Sequence, residues 1–520
     1  MRASFVSILG SMAVATAVHA DELTIGTFND PLTLDPHIQF ITYSNQQFQH
    51  IYDVLIFRNH NLELEPALAE SWKPIDDKTW EIKLRAGVKW HDGTPFTADD
   101  VLFTVERSPS PPGVVASSGR FLAQNGKQWK KIDDLTLQVT TPKSYPVMPR
   151  DLSITHIISK KHAQGKTSTD FDSGLAAVGT GAYKLVEYVR GDRVAYQANP
   201  GWWGGKPKWD RVTFKFINSN PTRVASVLSG AVDLIDNVPP EDIEDLRKNP
   251  KVTVHTATTN RLIYLWPDTN RDFTPKITDN DGKPIRNPIR DWRVRKAISK
   301  AINREAIVQR VMAGVATVGS QYKAAGHSGH NPDIKVEPFD PEGAKKLLAE
   351  AGYPNGFKLT LNAAAQPGIN ALKVAEAVAQ MLNRIGITTE VEVIPNQSYF
   401  AQIRAGAFSL PITSWISSNG ESGDPLVQAM HSYWPSDQLG TVNQFRYSNR
   451  RADDVIDAFI YEMDPQKRLK LIHDAYAIVT DDLAYIPIHW EMGLYASRPD
   501  LNYVVRRDQY TLAENATKKK

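Results

Sequence analysis

The chain of 520 residues contains no cysteine. Disulfides, thiolate metal sites and cysteine nucleophiles are therefore excluded. So is a bacterial lipoprotein anchor, which needs a cysteine just after the leader. A charge of one sign is also missing: 60 basic and 58 acidic residues leave a formal net charge of +2. That field is too weak to point to a nucleic-acid partner, and the terminal Lys518-Lys519-Lys520 reads as a solvated tail. After the first twenty residues no apolar run is long enough to span hydrocarbon. Short-period repeats are absent as well.

Catalytic signatures fail one by one. Gly326 to His330, "GHSGH", is one residue short of a nucleophile elbow and has no strand leading into it. Its two histidines lack a nearby acidic third ligand before Asp333, so a solvated loop is favoured over zinc. Gly165 to Ser168 echoes a P-loop, but the earlier glycine it needs is Lys160. Gly179 to Tyr183, "GTGAY", begins like a dinucleotide fingerprint, but its third glycine is Lys184. Asp279 to Gly282 resembles a calcium loop whose first ligand would be Ile277. No nucleophile, base, metal or cofactor set survives, so no catalytic residue, metal or cofactor is expected.

What is present begins at the N-terminus. Arg2 precedes a run of small and apolar residues from Ala3 to Val18, which closes in Val18-His19-Ala20. That is the pattern of a secretory signal peptide (1–20) cleaved after Ala20. An exported chain without lipid anchor or disulfides is expected in a bacterial periplasm.

Strand and helix signals alternate through the rest, which predicts an α/β protein. Thr79 to Arg85 alternates as a strand with one wet face. Thr97 and Asp100 form a capping box for a helix through Glu106. Asp291 to Gly314 carries one apolar stripe and reads as a single helix. Asp340 caps a helix that begins at Pro341 and ends at Gly352. Val374 to Ile385, Gly386 and Ile387 to Ile394 read as helix, stop and strand. Ala484 to Trp490 reads as a buried strand that Pro487 places near an edge or a bend.

Six blocks then appear in a recognisable order: "LTLDP" (Leu32 to Pro36), "LEPALAESW" (Leu64 to Trp72), the long run Thr79 to Arg107, "VGTGAYKLVEY" (Val178 to Tyr188), Gly201 to Ile217, and Asp291 to Val308. They resemble the family 5 solute-binding proteins, the periplasmic peptide- and dipeptide-binding components of ABC importers. The resemblance implies a periplasmic binding protein type II-like fold: two α/β lobes around a cleft, plus an extra α/β domain inserted near the N-terminus. By analogy lobe I takes 21–50, 178–255 and 482–520, the inserted domain II takes 51–177, and lobe III takes 256–481. It also implies a function: a monomer captures a small solute, in the first instance a peptide, and delivers it to an inner-membrane ABC permease with a cytoplasmic ATPase. An oligosaccharide, an amino-acid–sugar conjugate or a metal chelate is the alternative cargo; a secreted hydrolase is the distant one.

The ligand residues follow from the same resemblance. "SWISSNGESGDP", Ser414 to Pro425, reads as a loop and is similar to the segment with which peptide binders of the family hold a free amine. Glu421 is the candidate for that role, while Asp424 before Pro425 reads as a helix N-cap. Ser417, Ser418 and Asn419 lie in a stretch three residues longer than the peptide-binding pattern and offer neutral hydrogen bonds. Asp30, Tyr264, Trp266 and Trp415 complete the expected cleft lining, with core packing as the competing role for the three aromatics.

Overall fold

The computed structural model describes residues 21–38, 41–113, 121–365, 370–417 and 419–519. The expected signal peptide and Ser418 lie outside them. Among the described residues no helix is long and apolar enough to cross a membrane.

One twelve-stranded sheet joins two halves of the molecule. Two long antiparallel strands, Thr253–Leu265 and Ile486–Ser497, cross from one half to the other. Their N- and C-terminal ends respectively pair with each other beside Leu234–Ile235, which leads to Glu22–Thr27, Arg211–Phe216, Arg193–Ala198 and Tyr183–Val189. At the opposite ends, Ile412–Ile416, Phe357–Ala364 and Ile277–Thr278 extend the sheet, with Ile387–Ile394 parallel to Phe357–Ala364. Between the halves the pairing slips, from Thr258 opposite Met492 to Leu262 opposite Trp490. An irregularity of that kind bends and twists both strands, which turns one half against the other. Each half has its own apolar core: Leu23, Ile25, Tyr183, Val212 and Phe214 in the first; Ile263, Ile298, Leu359, Val378 and Ile412 in the second.

A third body carries a four-stranded antiparallel sheet in the order Ala69–Pro74, Thr79–Leu84, Thr136–Thr140, Gln128–Asp133. Trp80, Ile82 and Leu84 are the buried side of its alternating strand. The helix Ala98–Arg107 opens on the expected box: Asp100 accepts from the Thr97 N–H at 3.1 Å. The same carboxylate accepts from the Lys160 N–H at 2.9 Å and from Trp90 Nε1 at 3.3 Å. A short hairpin, Ile56–Arg58 with Leu64–Pro66, projects from this body.

Two further helical expectations are met and one is corrected. Asp340 accepts from the Gly343 N–H at 2.8 Å and starts Pro341–Glu350. Ala371–Asn383 is followed by Gly386 and Ile387–Ile394. The stripe from Asp291 does not make one helix. Trp292–Ala301 ends at an extended Ile302, and a new turn begins at Arg304. Asn303 caps that turn by accepting from the Ala306 N–H at 2.9 Å, and buried Arg304 donates to the Ser299 carbonyl at 3.0 Å. Side chains thus satisfy the free groups of both helix ends, and the apolar periodicity is blind to that. Pro487 sits where its strand is paired on one side only, opposite Tyr264, and at a bend, as expected. The register slips beside it, and its carbonyl accepts from Arg304 Nε at 2.7 Å.

Candidate functional site

The three bodies meet around a cavity of about 110 Å³. The hairpin tip of the third body gives Asn61, Leu62 and Glu63, and its short helix Met148–Asp151 gives Arg150. The second half gives Asn260, Lys323, Gly326, His327, Ser328 and Gly420. The C-terminal segment adds Arg507. Arg150 Nη1 donates to the Leu62 carbonyl at 2.6 Å and so fixes the hairpin tip. Arg507 spans the gap: Nη1 donates to the Gly326 carbonyl at 3.0 Å and to that of Asn61 at 3.4 Å.

The quoted segment, part strand and part loop, reaches the cavity at Gly420. Ser414, Trp415 and Ile416 belong to the strand Ile412–Ile416, paired with Thr253–Leu265, so the loop begins only at Ser417. The strand propensity of Trp and Ile outweighs the flanking serines. Asn419 turns the loop by accepting from the Glu421 N–H at 2.9 Å. Ser417 Oγ donates to the Glu421 carbonyl at 3.2 Å, and Tyr476 Oη donates to the Ser422 carbonyl at 2.6 Å.

Glu421 is buried, and its Oε1 lies 2.7 Å from Arg468 Nη1. Burial pushes its carboxyl up, but Arg468 and then Arg150 outweigh this and hold it below the ordinary range. The acid expected to meet a ligand amine thus already faces a guanidinium. Asp424 is not the expected N-cap. The single turn Leu426–Met430 that follows has Pro425 at its start and no side-chain cap. Asp424 instead accepts from the side chain of Gln428 four residues on. Burial raises its pKa to about 6, with Lys323 opposing. Lys323 is lowered to about 8 by burial, and its Nζ donates to the Glu421 carbonyl at 2.8 Å.

The aromatic candidates do not line the cavity. Tyr264 and Trp266 are buried in a further apolar cluster of the second half, with ring centroids 6.1 Å apart. Tyr264 also meets Tyr322 at 5.3 Å, and the Trp415 ring stands edge-on to Tyr322 at 6.3 Å. Asp30 is elsewhere. It accepts from Tyr188 Oη and from the Gly191 N–H, each at 2.7 Å, so it holds a hairpin of the first half.

The wall residues Arg150, Asn260, Lys323, His327, Ser328 and Arg507 were not singled out from the sequence as ligand groups. Only "GHSGH" carried a signal, and it was assigned to a solvated loop. His327 is in fact buried, and burial followed by Arg507 and Lys323 lowers its pKa to about 3, so it is neutral. Ser328 Oγ lies 2.8 Å from Ser422 Oγ. Among the described residues no three His, Cys, Asp or Glu side chains stand together as metal ligands.

The sequence matches the family described as bacterial extracellular solute-binding proteins, family 5 Middle, over residues 63–437. The chain belongs to that family. Full-length relatives agree with the match. Heme-binding protein A of Haemophilus influenzae is 28% identical over 88% of this chain and 85% of its own length. Glutathione-binding protein GsiB of Escherichia coli O1:K1 / APEC is 28% identical over 94% and 93%, and the dipeptide-binding protein of Escherichia coli K12 is 26% identical over 91% and 90%. The solved structure of HbpA2 from Haemophilus parasuis superposes with a TM-score of 0.80 at 24% identity, covering 96% of this chain and all of that one. The fold of this solute-binding protein is thus the type II periplasmic one, and its cavity lies where the lobes meet.

Proposed function

We propose that this chain captures a small peptide-like solute in the cavity between its lobes and hands it unaltered to an inner-membrane ABC permease. The observation that carries the reading is the composition of the cavity wall. The hairpin tip at Asn61–Glu63, the loop at Gly420 and Arg507 of the C-terminal segment are far apart in sequence and meet at the cavity. A site built from separate bodies binds by closure, because water leaves when the walls meet and each buried polar group of the solute must then find a partner. The names of the glutathione- and dipeptide-binding relatives support a peptide class of solute. The proposal includes the assignment of 21–50, 178–255 and 482–520 to lobe I, 51–177 to the inserted domain and 256–481 to lobe III. It also includes export with cleavage after Ala20, a periplasmic location, a monomeric state and no catalytic step.

Native mass spectrometry of the gently purified protein tests this. A retained solute of peptide mass, released on denaturation and unchanged after incubation, is the expected result. Turnover of an added peptide, or no solute and no thermal shift with any peptide pool, would overturn it.

A further inference from the structure

We infer that the solute is acidic, carrying at least two carboxylates, and that a free amine is not needed for its capture. The inference rests on the solute-binding reading above and narrows it.

The charges on the wall are unequal. Arg150, Lys323 and Arg507 line the cavity, against the single acid Glu63. Glu63 is solvent-exposed at the hairpin tip and accepts from Asn59 Nδ2 at 2.9 Å. The two inner acids are already engaged: Glu421 with Arg468 at 2.7 Å, and Asp424 with Gln428. An ammonium entering here would meet three cations and, at the rim, the one carboxylate of Glu63. A like charge a few ångströms away repels it. A carboxylate meets the reverse, a charge-assisted hydrogen bond.

The cations also hold donors in reserve. Among the described residues, Lys323 gives one N–H to the Glu421 carbonyl, Arg150 gives one to that of Leu62, and Arg507 uses Nη1 alone. A lysine has three donors and an arginine five, so most of them remain for a solute. Each cation comes from a different body or segment, so two carboxylates on one solute would pull the walls together.

One neutral group gives the other half of the solute's chemistry. Asn260 is buried in the wall; its Nδ2 donates to the Ser417 carbonyl at 3.1 Å, and its Oδ1 has no partner. A buried acceptor without a partner is costly, and an amide N–H of the solute would relieve it. Two carboxylates and an amide N–H describe a short acidic peptide or an N-acylated acidic amino acid.

Isothermal titration calorimetry of the full mature protein tests the inference with four probes: N-acetyl-L-glutamate, L-alanyl-L-glutamate, L-alanyl-L-alanine and L-lysyl-L-lysine. The expected result is that both glutamate compounds bind at least ~10-fold more tightly than alanyl-alanine, that the acetylated one binds at least as tightly as the free amine, and that lysyl-lysine is weakest. Lys323→Met and the more exposed Arg507→Gln should each weaken the glutamate compounds by ~10-fold or more and weaken alanyl-alanine, with its single carboxylate, by a smaller factor. Thermal denaturation of each variant reports separately that it is folded. Equal affinity for neutral and acidic probes, dependence on the free amine, indifference to both variants, or no binding of any probe would overturn the inference. If the solute retained by the native protein is a neutral or basic peptide, this inference falls while the solute-binding reading stands. Hydrolysis of a probe would defeat that reading instead.

Discussion

Arg468 Nη1 stands 2.7 Å from Glu421 Oε1, tying the helix Pro465–Asp481 to the loop that reaches the cavity. The pair is almost dry, with 14% and 11% of the two side chains exposed. Arg150, from the third body, adds its field to the same carboxylate. One acid therefore serves two cations, and its replacement should be felt first in the fold.

Glu421→Gln is predicted to lower stability by about 2 kcal/mol. Stripping one partner from a buried pair costs about 3–5 kcal/mol, and the retained amide oxygen and the residual exposure moderate the loss. A double-mutant cycle in urea with Arg468→Met should give a coupling of about 1–3 kcal/mol. Solutes with and without a free amine should lose affinity equally. A selective loss for amines, with stability unchanged, would return Glu421 to the role its sequence context suggests.

Gly179→Ala should damage the protein more than any cavity substitution. A Cβ at Gly179 would lie 1.8 Å from the Ile51 carbonyl oxygen, and one at Gly181 would lie 2.7 Å from it. Gly181 donates its N–H to that same oxygen at 2.9 Å, and the Gly179 carbonyl accepts from the His91 N–H at 2.9 Å. The glycines of "GTGAY" let two backbones touch where chain segments join the third body to the first lobe. Since backbone must move, a loss of about 3 kcal/mol or more is expected. Gly201→Ala, whose nearest contact would be 3.6 Å, is the control. Thermal denaturation of the two variants side by side checks the difference.

The same residues explain what could be read in advance. Most of the motifs that gave away the fold are scaffold joints. Asp35 of "LTLDP" takes the fork of Arg107, the last residue of the long block, at 2.6 and 3.0 Å in a buried ion pair. Trp90 and Thr97 of that block meet on Asp100. Such local spacings and turn residues survive in one dimension. The site does not. Arg150 in "MPRD", Lys323 and Arg507 are isolated cations, ordinary by composition, and only the meeting of three bodies makes them neighbours. Glu421 was legible as a singular loop acid, but its counter-ion lies 47 positions on in a helix whose pattern marks Arg468 as surface. Asp30 and Tyr264 were placed by analogy of position, and one holds a hairpin while the other is core.

Acid should destabilise the protein well before its carboxylates are protonated. His37, His50 and His489 are buried, and burial lowers each pKa to about 4; His156 falls to about 3. In the unfolded chain all four titrate near 6.5. As pH falls from 6.5 toward 4, the unfolded state takes up protons that the folded state refuses, so stability falls, by on the order of 3 kcal/mol for each histidine at full effect. Asp424, raised to about 6, works in the opposite sense: the folded state keeps its proton, which adds stability as pH drops through 6 toward the ordinary carboxylate range. Burial raises Asp53 and Asp100 as well, but it also lowers His91 and His255 to about 4, so the histidines prevail. Urea midpoints at pH 7, 5.5 and 4.5 should fall steadily. His489→Leu should flatten the slope at little cost at pH 7, because neither ring nitrogen of His489 has a partner. Midpoints that are flat across this range would contradict the account.

Gly420→Ala separates closure from folding. Gly420 has φ of +68°, and a Cβ there would lie 3.3 Å from both Arg150 Nη1 and Leu62 Cβ of the third body. Two costs follow, and they act on different equilibria. The left-handed backbone strain, about 1 kcal/mol for alanine, is present whether or not the lobes are closed, so it lowers stability and leaves affinity alone. The contact with Leu62 and Arg150 exists only when the walls meet, so it opposes closure alone. If it costs about 1 kcal/mol, the solute binds roughly 5-fold more weakly. Gly420→Asn isolates the second cost, since asparagine tolerates positive φ and still presents a Cβ to Leu62. Both variants should therefore lose affinity, and alanine should lose more stability than asparagine. Calorimetric titration and small-angle scattering with and without solute supply the two readouts. A Gly420→Asn protein that binds as tightly as the parent and contracts as fully on binding would show that the hairpin tip does not close on this loop.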